Sequence, residues 1–141
     1  YDDQGILSNA SSDKGFHEPP ANTPFPPYYG IKMVHTLARP GDQFIAATSD
    51  NDFLGAYADL RRDGYFALML INKDPKNPIT VHVSVANAQI GSTGYRYDYL
   101  PGAKDVTSSK IKPLGGSFTI TVPAYGITDI LAVGWNITQQ P

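Results

Sequence analysis

The stretch "YFALMLI" at residues 65–71 sets the strongest limit on what this chain can become. Read at the two-residue period of a strand, Phe66, Leu68 and Leu70 share one face, while Tyr65, Ala67, Met69 and Ile71 fill the other. A strand that is apolar on both sides has to be covered twice, once by a second sheet and once by a helix or a neighbouring domain. Segment 79–85 is of the other kind. Ile79, Val81, Val83 and Val85 point one way and Thr80, His82 and Ser84 the other, which predicts one wet face.

The same reading places strands at 43–49, 53–62, 65–72, 79–86, 94–100, 117–122 and 125–133. Asp63-Gly64 between two apolar runs signals a hairpin, and "NKDPKNP" at 72–78 signals a wider turn that Pro75 and Pro78 keep out of any ladder. Seven short strands separated by turns predict an all-β fold, an antiparallel β-sandwich of about seven to eight strands, Ig-like or Greek-key. In front of it, "PPYYGIKMVHTLARPG" reads as one short helix. Pro26 and Pro27 suit its first turn, and "RPG" at 39–41 ends it. Its apolar stripe is expected to run through Ile31, Val34 and Ala38, flanked by Met33 and Leu37. The chain thus divides into an irregular Pro-rich leader (1–27), the helix (28–40), the sandwich (42–134) and a tail (135–141) that holds the only tryptophan, Trp135. Tyr1, Ile6, Leu7, Phe16 and Phe25 are the side chains expected to pin the leader down.

Composition excludes several classes. With 141 residues the chain fits a single domain. Charged residues make up 17% and the net charge is -2, which leaves no basic field to hold nucleic acid. No apolar run approaches the ~20 residues of a membrane helix, so a soluble chain is expected, with no membrane partner. With no cysteine there is neither a disulfide framework nor a thiolate metal site.

The acids are lopsided, twelve Asp against the single Glu18. Asp13, Asp42, Asp50, Asp52, Asp63, Asp74 and Asp105 fall where Asp caps turns. Asp59, Asp98 and Asp129 fall within strands and are expected to pair with Arg61, Arg62 or Arg96. Asp2, Asp3, His17 and Glu18 are the leader residues with the chemistry for a site, but no nucleophile, base and acid converge in the pattern, so no catalytic residue is assigned. The three histidines, His17, His35 and His82, show no metal spacing and no metal ligand is assigned. No cofactor is expected; a structural Ca²⁺ on loop carboxylates such as Asp50 and Asp52 is the one ion the loops suggest. Tyrosine is the excess, nine in all. Tyr95, Tyr97 and Tyr99 alternate on one face of one strand, with rings roughly 6.5–7 Å apart, close to the repeat of a sugar chain. They are the candidate carbohydrate-binding residues, and packing of the same rings on the sheet is the competing account.

Taken together, "PPYYGIKMVHTLARPGDQFIAATSDNDFLGAYADLRRDGYFALMLINKDP" and "GSFTITVPAYGITDILAV" resemble the C-terminal end of secreted glycoside hydrolases, most of all glycoside hydrolase family 44, with families 39 and 79 similar. The resemblance covers about residues 24–133. It implies that the helix is the last element of a (β/α)8 barrel and that the strands form the sandwich which follows it. It further implies a non-catalytic accessory domain of a bacterial, extracellular or periplasmic protein, whose catalytic glutamates stand upstream and match no residue here. The partner would be the catalytic barrel of the same parent protein, with a polysaccharide as the alternative partner if the tyrosine face binds sugar. A structural or adhesive Ig-like domain that binds protein is the remaining reading.

Overall fold

A computed structural model describes residues 5–10, 17–112 and 115–137. In chain order the elements are α1 (Pro26–Leu37), β1 (Gln43–Ile45), β2 (Leu54–Leu60), β3 (Tyr65–Asn72), β4 (Ile79–Ser84), β5 (Ala88–Ile90), β6 (Gly94–Tyr99), β7 (Thr107–Ile111), β8 (Ser117–Val122), β9 (Ile127–Val133) and β10 (Trp135–Ile137). Six strands form the main sheet in the order β1-β2-β3-β9-β6-β7, every neighbour antiparallel. Two antiparallel pairs, β4 with β8 and β5 with β10, form the second layer. The architecture is an all-β sandwich with a helix on its outer side.

The doubly apolar segment is β3, and it is covered on both faces. Phe66, Leu68 and Leu70 join Leu54, Ala58, Ile130 and Ala132 in the core between the sheets, closed by Phe118, Ile120 and Val122 of β8 and by Ile90 of β5. Ala67 and Met69 face the other way and meet Met33 and Leu37 of α1, with Leu131 beside them. The one-wet-face pattern of β4 holds as well. Ile79, Val81 and Val83 pack on the inter-sheet core, while Thr80, His82 and Ser84 are exposed.

Pro26 and Pro27 begin α1 as expected, and the helix stops at Leu37, where Ala38 turns extended. Its rotation differs from the sequence expectation. The buried stripe is Tyr29, Met33 and Leu37, whereas Ile31 and Val34 are 55% and 54% exposed. Two anchors explain the choice: the Tyr29 hydroxyl donates to the Lys104 carbonyl while its ring stacks on Tyr99 at 5.0 Å, and Lys32 pairs with Asp105 at 2.7 Å. Placing a large ring and its hydroxyl inside outweighs burial of two β-branched side chains.

Three strands escaped the sequence pattern. β7 has four exposed residues in five and is held at the sheet edge by its backbone pairing with β6. β5 and β10 have three residues each, too short for a period to emerge, and β10 puts part of the expected tail into the fold, with Trp135 packed against the inter-sheet core. Just after β5 the chain passes close to the end of β9: a Cβ on Gly91 would lie 1.7 Å from the Val133 carbonyl oxygen, so only glycine fits there. Several expected strands are also shorter, notably 43–49, where only Gln43–Ile45 pair.

The described part of the leader is held by hydrogen bonds. Ser8 donates from its backbone to Thr23 and accepts from Asn22, Phe25 donates to Ile6, and Leu7 bridges Pro24. Ile6 and Leu7 stay exposed, Phe25 is half-buried, and Tyr1 and Phe16 lie outside the described residues.

Met33 is sealed between helix and sheet while Ile31 faces water. Met33→Ala is therefore expected to cost about 2–5 kcal/mol by urea unfolding, and Ile31→Ala to stay within about 0.5 kcal/mol. Equal losses would mean that the helix is rotated.

Candidate functional site

On the helix side of the main sheet the register sets residues in rows. Tyr57, Met69, Asp129 and Tyr97 stand side by side across β2, β3, β9 and β6, and Asp59, Ala67, Leu131 and Tyr95 form the next row. The three candidate sugar-binding tyrosines, Tyr95, Tyr97 and Tyr99, are thus on one face, as the alternation requires. They are half-buried against the α1 cluster, and Tyr99 is stacked on Tyr29. Burial, and then the neighbouring Tyr29, raise the pKa of the Tyr99 hydroxyl.

Tyr95 and Tyr97 also line a cleft of about 350 Å³ beside the C-terminal half of α1, with His35, Thr36, Arg39, Arg61, Asp63, Tyr65 and Leu131. Its cationic wall is already committed. Arg61, buried, donates to the Thr36 carbonyl at 2.7 Å and forks onto Asp63, which also accepts from Arg39 at 3.1 Å. The Arg61 guanidinium also lies 5.6 Å from the centre of the Tyr65 ring. This network ties the end of the helix to the β2–β3 hairpin, and the Arg61 side chain draws the Asp63 carboxyl below its ordinary pKa. The hairpin itself turns at Arg61–Gly64, with Gly64 at φ +88°.

Two acids on this face are spent differently. Asp59 and Asp129, expected to pair with arginines, are 0% and 1% exposed, and their carboxylate oxygens have no hydrogen-bond partner among the described residues. Of the three strand acids only Asp98 has its arginine, Arg96, at 2.6 and 2.8 Å, and Thr128 donates to it as well. The pairing fails for Asp129 because Asp98 and Arg96 occupy the opposite face of the sheet, while Asp129 is flanked by Met69 and Tyr97. Loss of water, reinforced by the charge of Asp98, pushes Asp129 up to about 8. Burial, and then Asp42, raise Asp59 too.

Other expected residues are dispersed. Asp2, Asp3 and Asp13 lie outside the described residues. His17 is exposed and Glu18 holds the leader, accepting from the Ser8 hydroxyl and the Asn9 amide. His35 lines the cleft, and His82 meets Thr119 on the far sheet at 2.9 Å. Asp42, Asp74 and Asp105 cap turns through backbone amides, and all three are held below the usual carboxylate range, the first two chiefly by those amides and Asp105 first by Lys32. Asp50 and Asp52 are exposed in the β1–β2 connection. Among the described residues, no group of three His, Asp or Glu side chains is placed to hold a metal, and no helix is long and apolar enough to cross a membrane.

Known proteins can now be compared with this geometry. No protein-family model matches the chain, and no curated protein sequence matches it. Solved structures do. The fold is similar to a family 30 subfamily 8 xylanase from Clostridium acetobutylicum (TM-score 0.71, 19% identity, 89% of this chain and 32% of that one). A family 30 endoxylanase from Clostridium papyrosolvens is alike at TM-score 0.70, 19% identity, 80% of this chain and 29% of the other. A bifunctional glucanase-xylanase from a metagenome library gives TM-score 0.59 at 23% identity, over 64% of this chain and 18% of that chain. The class that this fold defines is therefore a β-sandwich of the type found within glycoside hydrolases, and the chain spans between about a fifth and a third of the hydrolases it matches.

The Asp129 geometry gives a pH signature. Its folded pKa is raised, so between about pH 4 and about pH 8 the native state keeps a proton that the unfolded chain releases. Stability is thus lost as pH rises through that window, by up to about 1.4 kcal/mol per pH unit. Asp129→Asn removes this slope and leaves the variant more stable than the parent at pH 8, as urea titrations at pH 4, 6 and 8 would show. Parallel curves for the two proteins would contradict the buried, unpartnered acid.

Proposed function

We propose that this chain is the non-catalytic β-sandwich domain of a secreted glycoside hydrolase, which packs on and stabilises a (β/α)8 catalytic barrel elsewhere in the same polypeptide. The observation that carries this reading is the helix. α1 is apolar on two sides: Tyr29, Met33 and Leu37 are consumed by the sheet, and Ile31 and Val34 present a second stripe to the outside. A 12-residue helix with apolar residues on both sides is the pattern of an element sandwiched between two bodies. The fold likeness supports the same reading, since it is confined to a minor part of each hydrolase. The activities named for those hydrolases, glucanase and xylanase, support a polysaccharide as the substrate proposed for the parent protein, acting in an extracellular or periplasmic place. Among the described residues, Asp42, Asp74 and Asp105 are tied to turns, Asp63 and Asp98 to arginines, and Asp59 and Asp129 are buried, which suits a supporting part.

If the 141-residue chain and the remainder of its parent polypeptide are produced as separate pieces, they are expected to co-purify, and the pairing to raise the melting temperature of the catalytic piece. Ile31→Glu combined with Val34→Glu should separate the pieces while leaving the isolated domain folded. Pieces that ignore one another, or a pairing indifferent to both substitutions, would contradict the proposal.

A further inference from the structure

We propose that the free edge of β4, with the trench that opens beside it, receives one extended strand from the parent polypeptide outside residues 1–141, which completes the second layer of the sandwich. This rests on the reading of the chain as one domain of a larger protein.

The two layers are unequal. Six strands form the main sheet, whereas the second layer has two pairs. β4 pairs with β8 along one side, and among the described residues no strand pairs with its other side. Beside β4 lies a trench of about 660 Å³. Its floor is the inner face of β2 and β3, with Leu54, Phe66 and Leu68 along it, and its walls are β4 and segment 45–51. Ile45, Ala47, Ala56, Ile79, Val81 and Val83 all line it and are only half-buried. Apolar side chains that pack on a core and still face open space on one side lack their cover.

The backbone says what kind of cover fits. Val85 donates its N–H to the Gly116 carbonyl at 2.8 Å, and these two residues stand opposite each other where the β4–β8 register continues. In an antiparallel ladder, residues that exchange bonds with their opposite partner alternate with residues whose N–H and C=O point the other way. Ile79, Val81 and Val83 therefore bond across to β8, and Thr80, His82 and Ser84 aim their N–H and C=O groups at the free edge. Another polypeptide backbone offers donors and acceptors at that repeat. A strand lying about 4.8 Å from β4 would pair with these three residues and lower its own alternate side chains into the trench. Asp50 is the one acid along the trench, which no lysine or arginine lines, so those side chains are apolar.

The other long edges are guarded and this one is not. β1 ends the main sheet with only three residues, and β7 ends it with four exposed polar residues that include Lys110. β4 presents six residues with no proline, lysine or carboxylate among them. An apolar-faced edge left in that state pairs with stray chains, so it is an edge built to be covered. Segment 45–51 stands along the far side of the trench, leaving room for one strand and not for the sheet of a second copy. The parent polypeptide is the source that delivers such a strand at high effective concentration. This chain matches 18–32% of each hydrolase with the same fold, so a parent of that size has ample sequence to supply it.

NMR titration of the 141-residue chain with short overlapping synthetic peptides that span the remainder of the parent polypeptide tests the proposal. At least one peptide is expected to bind, to slow hydrogen exchange at the Thr80, His82 and Ser84 amides by about ten-fold or more, and to raise the melting temperature. His82→Pro removes an outward N–H, leaves the β8 ladder in place and should weaken that peptide by about ten-fold or more. Ala56→Trp fills the trench and should weaken it likewise, while Ile31→Glu should leave it unchanged. Absence of binding by every peptide at millimolar concentration, or binding indifferent to His82→Pro and Ala56→Trp, overturns the strand. Dimerisation of the chain that His82→Pro abolishes, with no peptide bound, overturns it in favour of a second copy. The supporting role is judged separately. Pieces that co-purify through Ile31 and Val34 while the three amides still exchange fast keep that role and remove the strand, and a peptide that binds while the pieces ignore one another does the reverse.

Discussion

The structure depends on the need of β3 to be buried from both sides. Seven of its eight residues are apolar, and water is removed from one face by β8 and from the other by α1. Each layer then has a reason to exist. The inter-sheet core forms around Phe66, Leu68 and Leu70. The helix is recruited by Ala67 and Met69, small and pliable side chains that let Met33 settle against the sheet. The same demand explains why a β fold carries a helix among its described elements, and why that helix is locked by a tyrosine hydroxyl, a stacked ring pair and an ion pair at its N-terminal half, and by Arg61 near its C-terminus.

Covering a strand twice has a cost, which falls on the acids beneath the helix. Asp59 stands in a row with Ala67, Leu131 and Tyr95, and Asp129 in one with Tyr57, Met69 and Tyr97, and neither carboxylate has a hydrogen-bond donor among the described residues. Holding Asp129 neutral is cheaper than burying its charge, which is why it keeps its proton to about pH 8. The result is a sheet face built more for position than for stability. That balance suits a surface whose task is to hold a helix with a second apolar side at a fixed place. The Arg61–Asp63–Arg39 network, by contrast, sits at the rim of the cleft, where water screens part of its strength.

Much of this was legible in the sequence because the signals were periodic. The strict alternation of 79–85, the double-sided 65–72 and the Asp63-Gly64 turn each survive in the structure with little change. What was not legible has no period. β7 is polar and held by backbone pairing, and β5 and β10 are three residues long. The rotation of α1 was set by a hydroxyl reaching Lys104, seventy-five residues away, which no local pattern records. The site suffered from the same limit. Tyr95, Tyr97 and Tyr99 announce themselves by spacing, but that they lie half under the helix depends on where α1 packs, which the spacing does not record.

Fold likeness to a minor part of several glycoside hydrolases and the two apolar sides of α1 meet in one claim, that this sandwich leans on a larger body. The most direct measurement is the mass of the natural polypeptide in its native host, detected with an antibody raised against this domain. A band several times heavier than 15.3 kDa is predicted. A band near 15.3 kDa in the native host would contradict it, because Ile31 and Val34 would then have no partner in the same chain.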